Sequence, residues 1–244
     1  MAQKFPIYLV LYAISTVGCL IISLAPLSYY FFLVIASNEL IYYFTLPVGI
    51  PFFWIIGFFI FVFIHSKIVI QITLPKIKPG TYPIMSDINK TYSLRLSADN
   101  TAKYWVKSLE WIPFFSQLFL LGFMLRQYGV KIGKRVYFAT ETRIDGIPLI
   151  EIGEDCFIGP RAIIGAHINL RGGKIRYKNT KVGKRCFIGH SSVLTPGDEV
   201  GDDGILGAYS VMLPDTKIPE GETWVGLPAV PSKKGQKNNS KAEL

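Results

Sequence analysis

Charge is almost absent from the first quarter of this 244-residue chain. Between Met1 and Ile64 there is one basic residue, Lys4, and one acid, Glu39. A water-soluble surface cannot be built from such a stretch. The remaining 180 residues carry 25 of the 26 basic and 16 of the 17 acidic side chains, so the net charge of +9 belongs to them. A basic excess of this kind matches an anionic neighbour such as lipid headgroups or a phosphorylated substrate, and equally serves simple solubility. Cysteine is scarce. Cys19 lies in the apolar region, and Cys156 and Cys186 occupy one recurring small-residue slot, so the three form no disulfide framework and read as packing residues in a reducing compartment. No metal site is expected from them.

Residues 7 to 36 contain no charge, and residues 40 to 64 form a second apolar run interrupted by Pro47 and Pro51. A helix needs about 20 residues to cross the hydrocarbon core, so each run suffices. The polar Ser37-Asn38-Glu39 reads as the turn between two spans. Lys4 precedes the first span, whereas Lys67, Lys76 and Lys78 follow the second, which puts both termini on the cytoplasmic side. Residues 111 to 125 form a third apolar stretch, ended by Arg126 and short for a span. Two readings stay open: an interfacial or re-entrant helix, or a plug that caps the core of the C-terminal half.

From Ile132 onward an apolar residue recurs at a period of six. The positions are Ile132, Phe138, Ile144, Ile152, Ile158, Ile164, Leu170, Val182, Ile188, Leu194, Val200, Leu206, Met212, Ile218 and Val225, and 11 of the 14 intervals are six residues long. Glycine follows this residue in nine of the 15 repeats, and four places after it the side chain is usually small. Each hexad reads as a short strand and a corner, and three hexads close one triangular coil. The apolar residue points into the prism, and glycine relieves backbone crowding near the corner. Coils then stack by parallel pairing at about 4.8 Å, about five of them making a prism on the order of 24 Å tall. Residues 169 to 181, basic and glycine-containing, break the period and read as a loop extruded from one corner.

The expected fold class is β: a left-handed parallel β-helix of hexapeptide repeats, preceded by two transmembrane α-helices and an apolar interfacial helix. The expected domains are a two-helix hairpin at 1–66, a linker and interfacial or capping helix at 67–127, the β-helix at 128–230, and a basic, disordered tail at 231–244.

From Tyr128 to Ala229 the chain resembles the maltose, galactoside and nodulation O-acetyltransferases among the hexapeptide acyltransferases. The resemblance is carried by YGVKIG, IEIGEDCFIGP, a histidine just before the loop, KVGKRCFIG, LGAYS and GLPA. It implies trimers with sites between neighbouring prisms. A resemblance over more of the chain, through LPKIKPGTYPI at 74–84, the apolar segment and IPEGETWVGLPA at 218–229, is to the membrane-associated C-terminal units of poly-lysine-synthetase-type peptide synthetases. Three such units there follow adenylation and carrier domains and join amino acids held as thioesters.

The resemblance assigns roles to particular residues. His167 matches the general base and His190 the backbone N–H donor to the oxyanion, while Asp145 matches an acceptor-binding aspartate. Phe187, Gly189, Gly207, Ala208 and Lys233 fall in the donor-binding region. The departures also fall there. Leu213 and Pro214 replace a Thr-Lys pair that helps hold coenzyme A, and Val230 replaces a basic residue, with Lys233 and Lys234 following later. Ala139 and Thr140 stand where an acceptor-binding asparagine is usual. The implied activity is acyl or aminoacyl transfer from a thioester, on coenzyme A or on carrier-protein phosphopantetheine, to an amine or hydroxyl at the cytoplasmic membrane, with the β-helix on the cytoplasmic side. The implied partners are two further copies, the membrane and an adenylation–carrier protein, with no nucleic acid. A trimeric scaffold for a partner enzyme is the non-catalytic alternative. A zinc carbonic anhydrase needs three converging histidines, and the repeats hold only His167 and His190.

Overall fold

The computed structural model describes residues 5–37, 39–107, 121–146 and 148–232. The chain divides into two compact units, Met1–Pro75 and Lys76–Leu244.

In the first unit, α1 spans Phe5–Ser37; a short α2, Leu40–Tyr43, leads into α3, Leu46–Ile64. The second long helix does not stop at Ile64. It continues through a π-helical stretch, His65–Ile70, into α4, Gln71–Thr73, so the continuous element is Leu46–Thr73. Phe5–Ser37 and Leu46–Thr73 are both long and apolar enough to cross a membrane. They approach closely at Gly57, where a Cβ would lie 2.3 Å from the Ser23 carbonyl oxygen. The Tyr12 hydroxyl and His65 Nε2 lie 3.2 Å apart, and Cys19 Sγ donates to the Phe61 carbonyl.

The second unit is a three-faced parallel β-helix. The first face stacks β2 (Lys131–Ile132), β5 (Ile150–Ile152), β10 (Thr180–Val182), β13 (Glu199–Val200) and β15 (Lys217–Ile218). The second stacks β3 (Tyr137–Phe138), β6 (Phe157–Ile158), β11 (Phe187–Ile188), β14 (Ile205–Leu206) and β16 (Thr223–Gly226), with β17 (Ala229–Pro231) folding back antiparallel on β16. The third stacks β4 (Arg143–Asp145), β7 (Ile163–Gly165) and β12 (Val193–Leu194). Every other pairing in these faces is parallel. The period-six residues fill the prism: Ile158, Ile164, Ile188, Leu194, Leu206 and Met212 are each 0 % exposed.

Two members of the periodic set sit elsewhere. Leu170 is 37 % exposed, because the chain has left the coil by then. At the top, Trp224 rather than Val225 pairs with Leu206, so the last repeat keeps the six-residue interval from Ile218 and Val225 lies one place beyond it.

The corners divide two tasks between residues. Arg135, Glu141, Asp155, Arg161, Arg185, Ser191, Asp203, Tyr209 and Asp215 take φ between 52° and 70°. At these nine positions a non-glycine residue carries the left-handed turn, and Gly221 takes the same conformation one coil above Asp203. Glycine is required instead for close approach: a Cβ at Gly153 would lie 2.4 Å from the Gly183 carbonyl oxygen of the next coil. On the first face Lys131, Glu151, Lys181, Glu199 and Lys217 stand in register up the prism, alternating in sign. A one-coil slip would set like charges against each other, so this ladder helps specify the stacking.

Helix α5, Asp87–Lys107, occupies much of the segment read as a linker; Asn89 N–H bonds the Ser86 side chain at its start. Helix α6, Leu121–Tyr128, packs against β2 and β3 with Met124 and Leu125 buried. It runs past Arg126, whose guanidinium donates to the Ile132 and Gly133 carbonyls. Residues 121–125, the end of the apolar stretch, thus lie in a helix packed on the first coil. Residues 111–120 of the apolar stretch lie outside the described residues.

Candidate active site

The extruded loop is a β-hairpin. β8 (His167–Leu170) and β9 (Lys174–Tyr177) pair antiparallel, closed by Arg171-Gly172-Gly173 with φ of 77° and 65° at the two glycines. That is the conformation a tight hairpin turn demands, and glycine meets it without strain. β1 (Gly80–Pro83) adds to the outer edge of β9, and Ile84 N–H donates to the Gly173 carbonyl at the tip.

His167 opens this hairpin, where the chain leaves the third face and before it rejoins the first at Thr180. The ring is half-buried, with Nδ1 fully buried, rather than lying open on the prism surface. The register sets His167 opposite Tyr177, with ring centroids 5.9 Å apart. Tyr177 is 1 % exposed; its hydroxyl donates to Asn89 Oδ1 at 2.8 Å, and burial pushes its pKa up to about 12.

Asp145 shares this corner one coil below. It ends β4 opposite Gly165, and its carbonyl accepts the Ala166 N–H at 2.7 Å, immediately before His167. Its carboxylate is 3.2 Å from the Arg143 guanidinium.

The donor-region residues gather at a different corner, between the second and third faces. Phe187 points outward, 45 % exposed, and stacks on Phe157 at 5.0 Å, which stacks on Tyr137 at 5.2 Å. Gly189 supports Gly207 and Ala208 of the next coil so closely that a Cβ there would lie 2.4 Å from Ala208 N. The His190 carbonyl accepts the Tyr209 N–H at 2.8 Å, and its ring meets Tyr209 edge-on. The His190 N–H has no acceptor among the described residues. Pro160 occupies the same place one coil below, where its carbonyl accepts the Ser191 N–H. The coil geometry therefore does not use the N–H at this position. Lys233 lies outside the described residues.

The predicted residues thus form two groups on two corners, Asp145 with His167 and Phe187, Gly189, His190, Gly207 and Ala208 together. The third face separates them by on the order of 20 Å, about six residues of extended chain. One chain does not bring base and oxyanion donor together.

Residues 149–169 and 179–210 match the family model described as the hexapeptide repeat of succinyl-transferase. Those residues are coils of the prism, which therefore carry the hexapeptide repeat. The hexapeptide-repeat domain is similar in fold to a galactoside acetyltransferase solved in complex with coenzyme A, with TM-score 0.51 and 13 % identity over 67 % of this chain and 92 % of that one. This likeness is one of fold, a left-handed parallel β-helix. A maltose O-acetyltransferase from Clostridium difficile 630 aligns with TM-score 0.41 and 20 % identity over 64 % of this chain and 92 % of that one. Along 161 residues, 66 % of the chain, the sequence is 28 % identical to a delta-poly-L-ornithine synthetase of Acinetobacter baumannii (strain AB307-0294). The chain spans only 11 % of the length of that curated relative.

Sequence reading missed Tyr177, which lies against His167, and Asn89 of α5, which bonds the Tyr177 hydroxyl. The signal for the hairpin was present: two alternating runs, HINL and KIRY, around Gly172-Gly173. Asn89 is 88 residues from Tyr177, and no spacing rule connects them.

Proposed function

We propose that this chain is a membrane-tethered acyltransferase of the hexapeptide-repeat type, working as a trimer. It moves an acyl or aminoacyl group from a thioester to an amine or hydroxyl, with His167 as general base. The observation that carries this reading is the division of the candidate residues between two corners flanking one face. In a closed three-fold assembly the His167 corner of one prism meets the His190 corner of the next, and the site is completed there.

The chemistry follows from the groups each corner offers. With Nδ1 buried, His167 Nε2 is the nitrogen left to take a proton from the acceptor as its nitrogen or oxygen attacks the thioester carbonyl carbon. The carbonyl oxygen becomes an oxyanion, and the N–H of His190, which the coil does not use, donates to it. Collapse breaks the carbon–sulfur bond, and the proton held by His167 passes to the departing thiolate. Asp145, beside Arg143, orients the acceptor. Phe187 and the close-packed Gly189, Gly207 and Ala208 give the thioester arm an apolar, flat surface.

Two features favour a carrier-bound aminoacyl thioester over acetyl-coenzyme A as donor, and an amine as acceptor. Leu213 and Val230 are exposed and apolar where the acetyltransferase resemblance expects basic or polar residues. The relative matched along most of the chain is a synthetase of delta-poly-L-ornithine. An adenylation–carrier protein would then be the partner, and the two apolar helices would hold the prism at the cytoplasmic membrane face.

The deciding experiment measures transfer by the full-length protein with both donor types. His167→Ala should lower kcat roughly 10²–10⁴-fold while leaving the trimer intact. Full activity in His167→Ala would overturn the mechanism.

A further inference from the structure

The segment between the apolar helices and the prism does more than connect them. β1 extends the hairpin sheet, so β8, β9 and β1 form one three-stranded antiparallel surface. Register places His167, Tyr177 and Gly80 across one row, and Asn169, Ile175 and Tyr82 across another row of the same sheet face. Tyr92 of α5 covers this face: it meets Tyr177 edge-on at 5.6 Å and Tyr82 edge-on at 5.4 Å. Tyr177, Ile175, Tyr92 and Asn89 are all buried.

Asn89 is the polar pin in that contact. Its Oδ1 accepts from Tyr177, and its Nδ2 donates to the Ile84 carbonyl at 2.8 Å. Both halves of the amide are engaged, so its orientation is determined by the hydrogen bonds it makes. The Tyr177 ring cannot rotate away without stranding a buried hydroxyl and a buried amide oxygen. That ring is what His167 lies against.

The geometry points to Asn89 and Tyr177 as positioning residues for His167, so that the segment entering the prism from the apolar helices is a working part of the site. The inference rests on His167 being the base. Asn89 holds Tyr177, Tyr177 holds the imidazole, and the ring is presented at one angle to the acceptor. A general base works only within hydrogen-bond reach of the proton it removes, and a small misplacement has a large effect on rate.

The test reads His167 directly, without a substrate. Full-length protein in detergent is treated with diethyl pyrocarbonate, and the rate of carbethoxylation at His167 and at His190 is followed by peptide mass spectrometry across pH. Asn89→Ala and Tyr177→Phe should raise the His167 rate several-fold and move its pH midpoint, with His190 unchanged. In transfer assays both variants should lose roughly 10–100-fold in kcat with KM unchanged. A fall in thermal midpoint with the His167 profile unmoved would overturn the proposal. His167→Ala separates the two claims. If it retains transfer, the base reading fails. If it is inactive while Asn89→Ala matches wild type in both assays, only the positioning claim fails.

Discussion

Asp215, at a left-handed corner of the β-helix, binds both Arg176 and Lys178 of the extruded hairpin, the Arg176 guanidinium lying 3.2 Å from its carboxylate. The hairpin is thus fastened on two sides, by α5 behind Tyr177 and by this ion pair against an upper coil. Gly197 leaves room for it, since a Cβ there would lie 2.1 Å from the Asp215 carboxylate.

Removing that fastening should loosen the hairpin without unfolding the prism. The Lys178 ammonium, first, and the Arg176 guanidinium hold the Asp215 carboxyl below its usual range. The stabilisation is therefore full above about pH 4 and is lost as pH falls through the lowered value. The pair is partly solvated, so its contribution is below about 1 kcal/mol and weakens with salt. In Asp215→Asn, amide hydrogen exchange at residues 174–178 should quicken while exchange in the coils stays as in wild type. Equal exchange in the hairpin would refute the fastening role.

The composite site makes a prediction about mixtures. His190→Pro removes the N–H at a position where Pro160 already fits the coil below, so folding should persist while kcat falls roughly 10²–10³-fold. His190→Ala, which keeps the N–H, should do much less harm. Neither His167→Ala nor His190→Pro should be active by itself, yet trimers assembled from an equal mixture should recover about a quarter of the sites, because the corners come from different chains. No recovery in verified mixed trimers would place the site within one chain.

Close packing of coils predicts a sharp contrast between two glycines. At Gly189 a Cβ would meet the backbone at 2.4 Å, but at Gly165 the nearest atom is 3.5 Å away. Gly189→Ala should destabilise by about 3 kcal/mol or more, since backbone must part to admit it, and Gly165→Ala should be tolerated. Thermal unfolding of the two variants checks this.

Asp198 is fully buried, and its carboxylate accepts the Thr195 N–H at 2.6 Å and the Thr216 N–H at 3.0 Å. Burial outweighs these donors and pushes its pKa up to about 6. Because the folded value lies above the unfolded one, the folded state binds more protons between about pH 4 and 6, and this group's contribution to stability falls as pH rises through that window. Asp198→Asn should remove that dependence and, because an amide nitrogen cannot accept from either N–H, should cost about 1–3 kcal/mol at pH 8. Denaturation curves taken at several pH values would show both effects or neither.

The charge asymmetry around the apolar helices predicts that both termini face the cytoplasm. A membrane-impermeant thiol reagent applied to intact cells should label Ser37→Cys and miss Ser240→Cys; the native cysteines are buried. The reverse pattern would exclude a cytosolic donor.

A period of six is a local property, so the coil, its inward residues and its small-residue slots could all be read in order along the chain: Ile158, Ile188 and Leu206 each lie where the repeat puts them, 0 % exposed. The apolar runs were equally legible, because a helix that satisfies its own backbone needs nothing from elsewhere in the chain. The period failed where local rules stop governing, at Leu170 in the hairpin; at the top it still runs at six, from Ile218 to Trp224, and Val225 was read one place late. The tertiary structure alone decided that His167 and His190 stand on different corners. It also brought Asn89 to Tyr177 across 88 residues and set α5 behind the ring that His167 lies against. These relations depend on how a strand and a helix fold onto a hairpin, and such long-range pairings leave no spacing in the sequence to read.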